Sequence, residues 1–159
     1  MNIVPRTEIG LPARVTNINR ITSRPLLRDG LDLCLVHYTG VTGTYAGKDP
    51  AAVIRSVHRW RANEYSYCIS LDGRIFEFAG QYQSAHAKGF NDRSYGVLMI
   101  NGTRDACTDA QVEAFRFLIG CLKWTQRIKT SAWIVPHQYV AATACPGPVM
   151  ERYTELAAA

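Results

Sequence analysis

The run YSYCISLDGRIFEF (65–78) sets two β-rich stretches on either side of Asp72-Gly73. That pair between apolar runs is the strongest hairpin signal in the chain, because glycine adopts the positive φ of a tight turn without steric cost. A hairpin puts at least one antiparallel pair into whatever sheet the chain builds. The other apolar runs have no such local partner. LDLCLVH (31–37), SYGVLMI (94–100) and AWIVP (132–136) each read as a short buried strand followed by turn residues or a polar cluster. Helical patterns separate them. Asp49-Pro50 opens the first, with Val53, Ile54, Val57 and Trp60 at helical spacing and an end expected near Ala62-Asn63. Thr108-Asp109-Ala110-Gln111 is a capping box, and Val112, Phe115, Leu118, Ile119 and Leu122 then form one apolar stripe. Lys123, Arg127 and Lys129 favour the carboxyl end of that helix electrostatically.

Alternating strands and helices with one hairpin predict an α/β fold, a mixed central sheet flanked by helices. Residues 1–30 carry turn signals at Pro12, Pro25 and Asp29-Gly30 and read as an extended arm packed on the domain. Residues 148–156 read as a helical tail, with Ala157–Ala159 as the start of a linker. At 159 residues the chain suits a single domain, either alone or as one module of a longer protein.

With 47% hydrophobic and 19% charged residues the composition is that of an ordinary globular domain. No stretch approaches the roughly 18 apolar residues of a membrane span, and the N-terminus lacks the pattern of a signal peptide. The formal charge of +5 comes from scattered basic residues. The plain reading of that charge is a solvated basic surface; the functional one is attraction to a polyanion, nucleic acid or an acidic cell wall, and no run of basic residues interleaved with aromatics marks a nucleic-acid face. Five cysteines form no C-x-x-C pair and, being odd in number, no obvious disulfide framework.

Cys34, Cys68 and Cys121 lie in apolar runs and behave as small hydrophobes. Cys145 differs: it sits among small residues in VPHQYVAATACPGP (135–148), eight residues after His137. A thiolate nucleophile needs a nearby base, and His137 supplies one. A zinc site needs three such ligands and an open position, which His37, His137 and Cys145 supply equally well. Spacing alone does not choose between these chemistries. His37 and His137 both end predicted strands, where ligand sites of open α/β sheets form. His58, mid-helix, reads as an ordinary surface or half-buried histidine, and His86 lies in the polar loop SAHAKGFND.

Five segments in order resemble the zinc N-acetylmuramoyl-L-alanine amidases, which share their fold with the peptidoglycan recognition proteins. IVPRTEIG (3–10) resembles that family's N-terminal Arg-x-Glu segment, with Ile9 at the usual tryptophan. LVHYTG (35–40) resembles its strand-then-His start, and YSYCISLDGRIFE (65–77) its Tyr-led hairpin. SAHAKGFNDRSYGVLMI (84–100) resembles its Ala-His to Ser-x-Gly strand approach, and HQYVAATACPG (137–147) its His to Cys-Pro-Gly signature. The resemblance implies zinc on His37, His137 and Cys145. It implies an active-site tyrosine at Tyr65, a catalytic Lys-or-Thr position at Thr143, and a substrate cleft lined by Tyr38, Thr39, His86 and Asn91. Arg61 to Glu64 depart from the family's usual Gly-Trp segment, and alternation puts Tyr67 on the same sheet face as Tyr65, which makes it the fallback.

The implied activity is zinc-dependent cleavage of the amide between N-acetylmuramic acid and L-alanine in bacterial peptidoglycan. The alternatives are a non-catalytic peptidoglycan-binding module and a cysteine peptidase using Cys145 and His137. Cys145 and Tyr65 resemble the phage-endolysin and catalytic recognition-protein branch. The expectation is therefore a monomeric phage lysin that accumulates in the host cytoplasm before acting on the wall.

Overall fold

The computed structural model describes residues 1–13, 16–17, 20–23, 25–61 and 64–159, with side chains left undescribed at 57–61 as well as throughout 14–24. His58 and the expected helix end at Ala62-Asn63 therefore lie outside what is described.

The fold is α/β, built on a mixed six-stranded sheet. Its strands are β1 (Ile3–Val4), β4 (Leu31–Tyr38), β5 (Tyr67–Ile69), β6 (Ile75–Glu77), β7 (Tyr95–Met99) and β8 (Ile128–Pro136), in the spatial order β1-β6-β5-β7-β4-β8. Strands β5, β7, β4 and β8 run parallel; β6 is antiparallel to β5, and β1 is parallel to β6. The Asp72-Gly73 hairpin thus supplies the reversal that makes the sheet mixed. Gly73 has φ +79°, and a Cβ there would stand 2.7 Å from the Ala110 carbonyl oxygen, so the turn and the start of the following helix both exclude a side chain.

Helix α1 (Pro50–Arg61) covers one face of the sheet and α2 (Asp109–Trp124) the other. The α2 start carries the expected capping box: Thr108 Oγ1 accepts from the Gln111 amide at 3.1 Å, and Gln111 Oε1 accepts from the Thr108 amide at 3.2 Å. Its stripe of Val112, Phe115, Leu118, Ile119 and Leu122 packs on Cys34, Val36, Ile69, Val97 and Met99. On the opposite face Ile54 of α1 packs with Cys68, Phe76 and Leu98. From Cys34 onward β4 alternates regularly: Cys34, Val36 and Tyr38 lie on the α2 side, which sends His37 to the opposite face.

Three expectations need correction. The N-terminal arm is more than an extended segment: β1 pairs with β6, a turn of 3₁₀ helix follows at Arg6–Ile9, and Thr16–Asn17 (β2) pairs with Arg20–Ser23 (β3). Strands of two to four residues are too short to show a period. Strand β8 begins at Ile128 rather than at 132, because at the sheet edge Lys129, Thr130 and Ser131 face solvent and break the apolar run. The tail is a 3₁₀ segment, Gly147–Arg152, running into α3 (Tyr153–Ala157), rather than one helix over 148–156, and Ala159 packs on the core.

Candidate metal and catalytic site

Parallel strands bring their carboxyl ends to one edge of the sheet. The register pairs Val36 with Pro136, so the residues that follow, His37 and His137, emerge side by side. Their ring centroids lie 4.5 Å apart. After His137 the chain makes a short 3₁₀ turn and folds back: the Gln138 amide donates to the Cys145 carbonyl at 2.8 Å, and the Gly147 amide donates to the Ala144 carbonyl at 2.7 Å. This closed loop returns Cys145 to the histidine that precedes it by eight residues. Its Sγ lies 3.7 Å from His37 Nδ1 and accepts from the Tyr38 amide at 3.4 Å. One donor atom each from His37, His137 and Cys145 falls within 4.8 Å of the others.

The remaining expected residues sit around this group in different ways. Tyr65 is buried, and its ring meets His37 edge-on with centroids 5.2 Å apart. Tyr67 does not share that face. It packs against Tyr95 and the α2 core, because β5 begins only at Tyr67 and strand alternation does not extend back to residue 65. The expectation of a shared face fails for that reason, and the geometry separates the two tyrosines. Tyr38 also turns to the α2 side. Its ring lies against Gly147, where a Cβ would be 2.6 Å away, and so braces the Cys145 loop from behind. Thr39 is buried and donates to the Asn101 carbonyl at 2.6 Å. Asn91 Oδ1 accepts from the Ala87 amide at 2.8 Å, closing the loop that carries His86. Thr143 is exposed, and its Oγ1 accepts from the Cys145 amide at 3.2 Å.

His86 stands closer to the group than the sequence suggests: its Nδ1 is 3.1 Å from His37 Nε2, and the residue is buried. Two residues that the sequence reading left without a role make this possible. Gly96 leaves the space, since a Cβ there would be 2.4 Å from His86 Cγ, and Ser94 presents its carbonyl 3.3 Å from His86 Nε2. The Ser-x-Gly spacing across the start of β7 is the available signal.

Burial sets the charge states. Desolvation pushes His37 well below the ordinary imidazole range, with His86 and His137 adding repulsion. His86 falls to about 4, again chiefly through burial, and half-buried His137 also shifts down. Neutral imidazoles keep lone pairs available for a metal. The two fully buried cysteines behave oppositely to a reactive thiol: burial raises Cys34 to about 12 and Cys68 further still.

A profile of the N-acetylmuramoyl-L-alanine amidases matches residues 28–148, well over half of the chain. The chain belongs to this family. Among its amidase-family relatives, the endolysin of Klebsiella phage KP32 is 32% identical over 118 residues, covering 64% of this chain and 74% of that protein. A peptidoglycan-recognition protein of Drosophila melanogaster is 27% identical over 131 residues, covering 77% of this chain and 72% of that protein. The fold is also that of bumblebee PGRP-SA (TM-score 0.78, 24% identity, 98% of this chain and 96% of that one). It likewise matches the ectodomain complex of recognition proteins LCa and LCx bound to tracheal cytotoxin (TM-score 0.81, 22% identity, 92% and 90%).

For a member of the amidase family the fit of zinc can be judged from the donors themselves. Two imidazole nitrogens and a thiolate are a zinc ligand set that leaves one position open. Tetrahedral coordination with ordinary bond lengths separates N and S donors by about 3.6 Å, and His37 Nδ1 and Cys145 Sγ are 3.7 Å apart. The amide of Tyr38 adds a donor to the sulfur and fixes its position. The residues fit the metal.

Proposed function

We propose that this amidase-family chain uses zinc held by His37, His137 and Cys145 to hydrolyse the amide between N-acetylmuramic acid and L-alanine in bacterial peptidoglycan. The observation that carries this reading is the convergence of those three donors at the carboxyl edge of the sheet. The endolysin relatives support it as well. Zinc bound there would supply a Lewis acid that lowers the pKa of its water toward about 7 and polarises a carbonyl.

The chain's own groups do the rest. His37 and His137, kept neutral by burial, would hold the metal without competing protons near pH 7. The closed 137–147 loop fixes the thiolate, and Tyr38 and Gly147 brace it. Tyr65, against His37, orients the attacking water and the scissile carbonyl. The hydroxyl of Thr143 accepts one bond from the Cys145 amide and keeps its own hydrogen, which donates to the carbonyl oxygen as negative charge develops there. The C–N bond breaks as water adds to the carbonyl carbon, and the leaving amine of L-alanine takes up the proton.

The deciding experiment pairs metal analysis of the purified protein with mass spectrometry of peptidoglycan it has digested. The expected result is about one zinc per chain, new free L-alanine amino termini, and loss of both on chelation. Unchanged cleavage by metal-free protein would transfer the reaction to a Cys145–His137 hydrolase. Wall binding without new amino termini would make the chain a recognition module, like the Drosophila relative in name.

A further inference from the structure

Two histidine rings in contact can share one hydrogen bond in only one of two senses, and the surroundings of His86 decide which. Its Nε2 faces the Ser94 carbonyl at 3.3 Å and Ser94 Oγ at 3.3 Å. The carbonyl can only accept. The Ser94 hydroxyl hydrogen is already given to the Phe90 carbonyl at 2.7 Å, so toward His86 that oxygen accepts as well. Both neighbours therefore require a hydrogen on His86 Nε2. In the neutral ring Nδ1 is then a bare acceptor. It lies 3.1 Å from His37 Nε2, which must supply the hydrogen. With Nε2–H fixed, the lone pair of neutral His37 is on Nδ1, the atom that faces Cys145 Sγ at 3.7 Å.

We propose that His86 is a positioning residue: the Ser94–His86–His37 hydrogen-bond chain locks His37 in the Nε2–H tautomer and aims its Nδ1 lone pair into the metal site. The proposal rests on the zinc reading above for its consequence, but the tautomer itself does not depend on metal. The fold is built around the contact. Gly96 makes room for the imidazole on the sheet face. The Asn91 carboxamide and the Phe90 amide, which donates to the Ala87 carbonyl at 3.0 Å, hold the loop at the height the bond requires. A partner on the far nitrogen of a metal-binding histidine fixes ring orientation and raises ligand basicity, and its loss ordinarily weakens metal binding 10- to 100-fold.

The first measurement is long-range ¹H–¹⁵N NMR of the imidazoles in chelator-treated wild-type protein. The expected spectrum has both His37 and His86 as Nε2–H tautomers; a His37 ring carrying its hydrogen on Nδ1 overturns the proposal. The second measurement is zinc affinity by chelator competition. His86→Leu removes the acceptor and should lower affinity by about 10- to 100-fold. His86→Asn places an amide oxygen near the position of Nδ1 and should recover most of it. A purely structural role predicts similar affinity losses in both variants, and equal affinity in wild type and His86→Leu also defeats the idea. If the Leu variant fails to fold, the wild-type tautomer and the Asn affinity still decide. If wild-type protein binds no zinc at all, the proposed function fails, while the NMR result judges the hydrogen-bond chain independently.

Discussion

The two faces of the central sheet are built from the same strands and do different work. The face under α2 is apolar almost throughout: Val36, Ile69, Val97 and Met99 meet Phe115, Leu118 and Ile119, all fully or nearly fully buried. The face under α1 is apolar only over part of its area, around Ile54, Cys68, Phe76 and Leu98. At its carboxyl edge it carries His37, with His86 and Tyr65 packed around it. Along β4 the division falls between neighbouring residues, since Val36 belongs to one face and His37 to the other. Burial stabilises the first face by removing hydrocarbon from water. On the second, the same burial keeps imidazoles uncharged, which costs stability in acid and readies the site for a cation.

The comparison predicts that changes to one face leave the property of the other nearly untouched. Cys145→Ala should have the largest functional effect: loss of bound zinc and of amide cleavage to background, with a melting temperature of the metal-free protein close to wild type. Retained zinc and retained lysis in this variant would remove Cys145 from the ligand set. Phe115→Ala is its counterpart under α2. It should cost about 3–5 kcal/mol of stability in denaturant titration, while folded protein at low temperature still binds zinc with wild-type affinity.

Acid should discriminate the faces without any mutation. The folded-state pKa of His86 lies near 4, below the unfolded value of about 6.5, so between these limits the unfolded chain binds more protons. Stability of the chelator-treated protein should therefore be complete above pH 6.5 and fall as the pH drops toward 4. The loss between pH 7.5 and 4.5 should be about 2–3 kcal/mol from His86 alone. The lowered carboxylates Asp72 and Asp105 act in the same sense but at more acid pH, below their ordinary value of 3.8. A flat stability profile down to pH 4.5 would contradict the neutral, buried histidine group. The smallest effect belongs to the α2 cap: Thr108→Ala should cost about 1 kcal/mol and leave zinc affinity unchanged.

Much of the architecture was legible because it rests on local rules. The Asp72-Gly73 turn, the Thr108 capping box and the stripe from Val112 to Leu122 each specify an element within a few residues. What lay outside those rules was missed for physical reasons. Strand β1 has two residues and is defined only by its partner β6. The start of β8 is polar because an edge strand needs no apolar outer face. Tyr65 and Tyr67 look equivalent by alternation, but the strand that would impose alternation starts only at Tyr67.

The sequence by itself determined the fold class, the starts of α1 and α2, and the residue types that can ligate zinc. It also placed His37 and His137 at strand ends, since apolar runs stop where those histidines begin. Only the tertiary structure decided that the two strands are parallel neighbours in a register that puts His37 and His137 side by side. It also decided that the 137–147 loop closes on itself to bring Cys145 back to His37, and that His86 reaches His37 across a glycine. Strand order and register arise from contacts between residues about a hundred positions apart, and no local pattern carries that information.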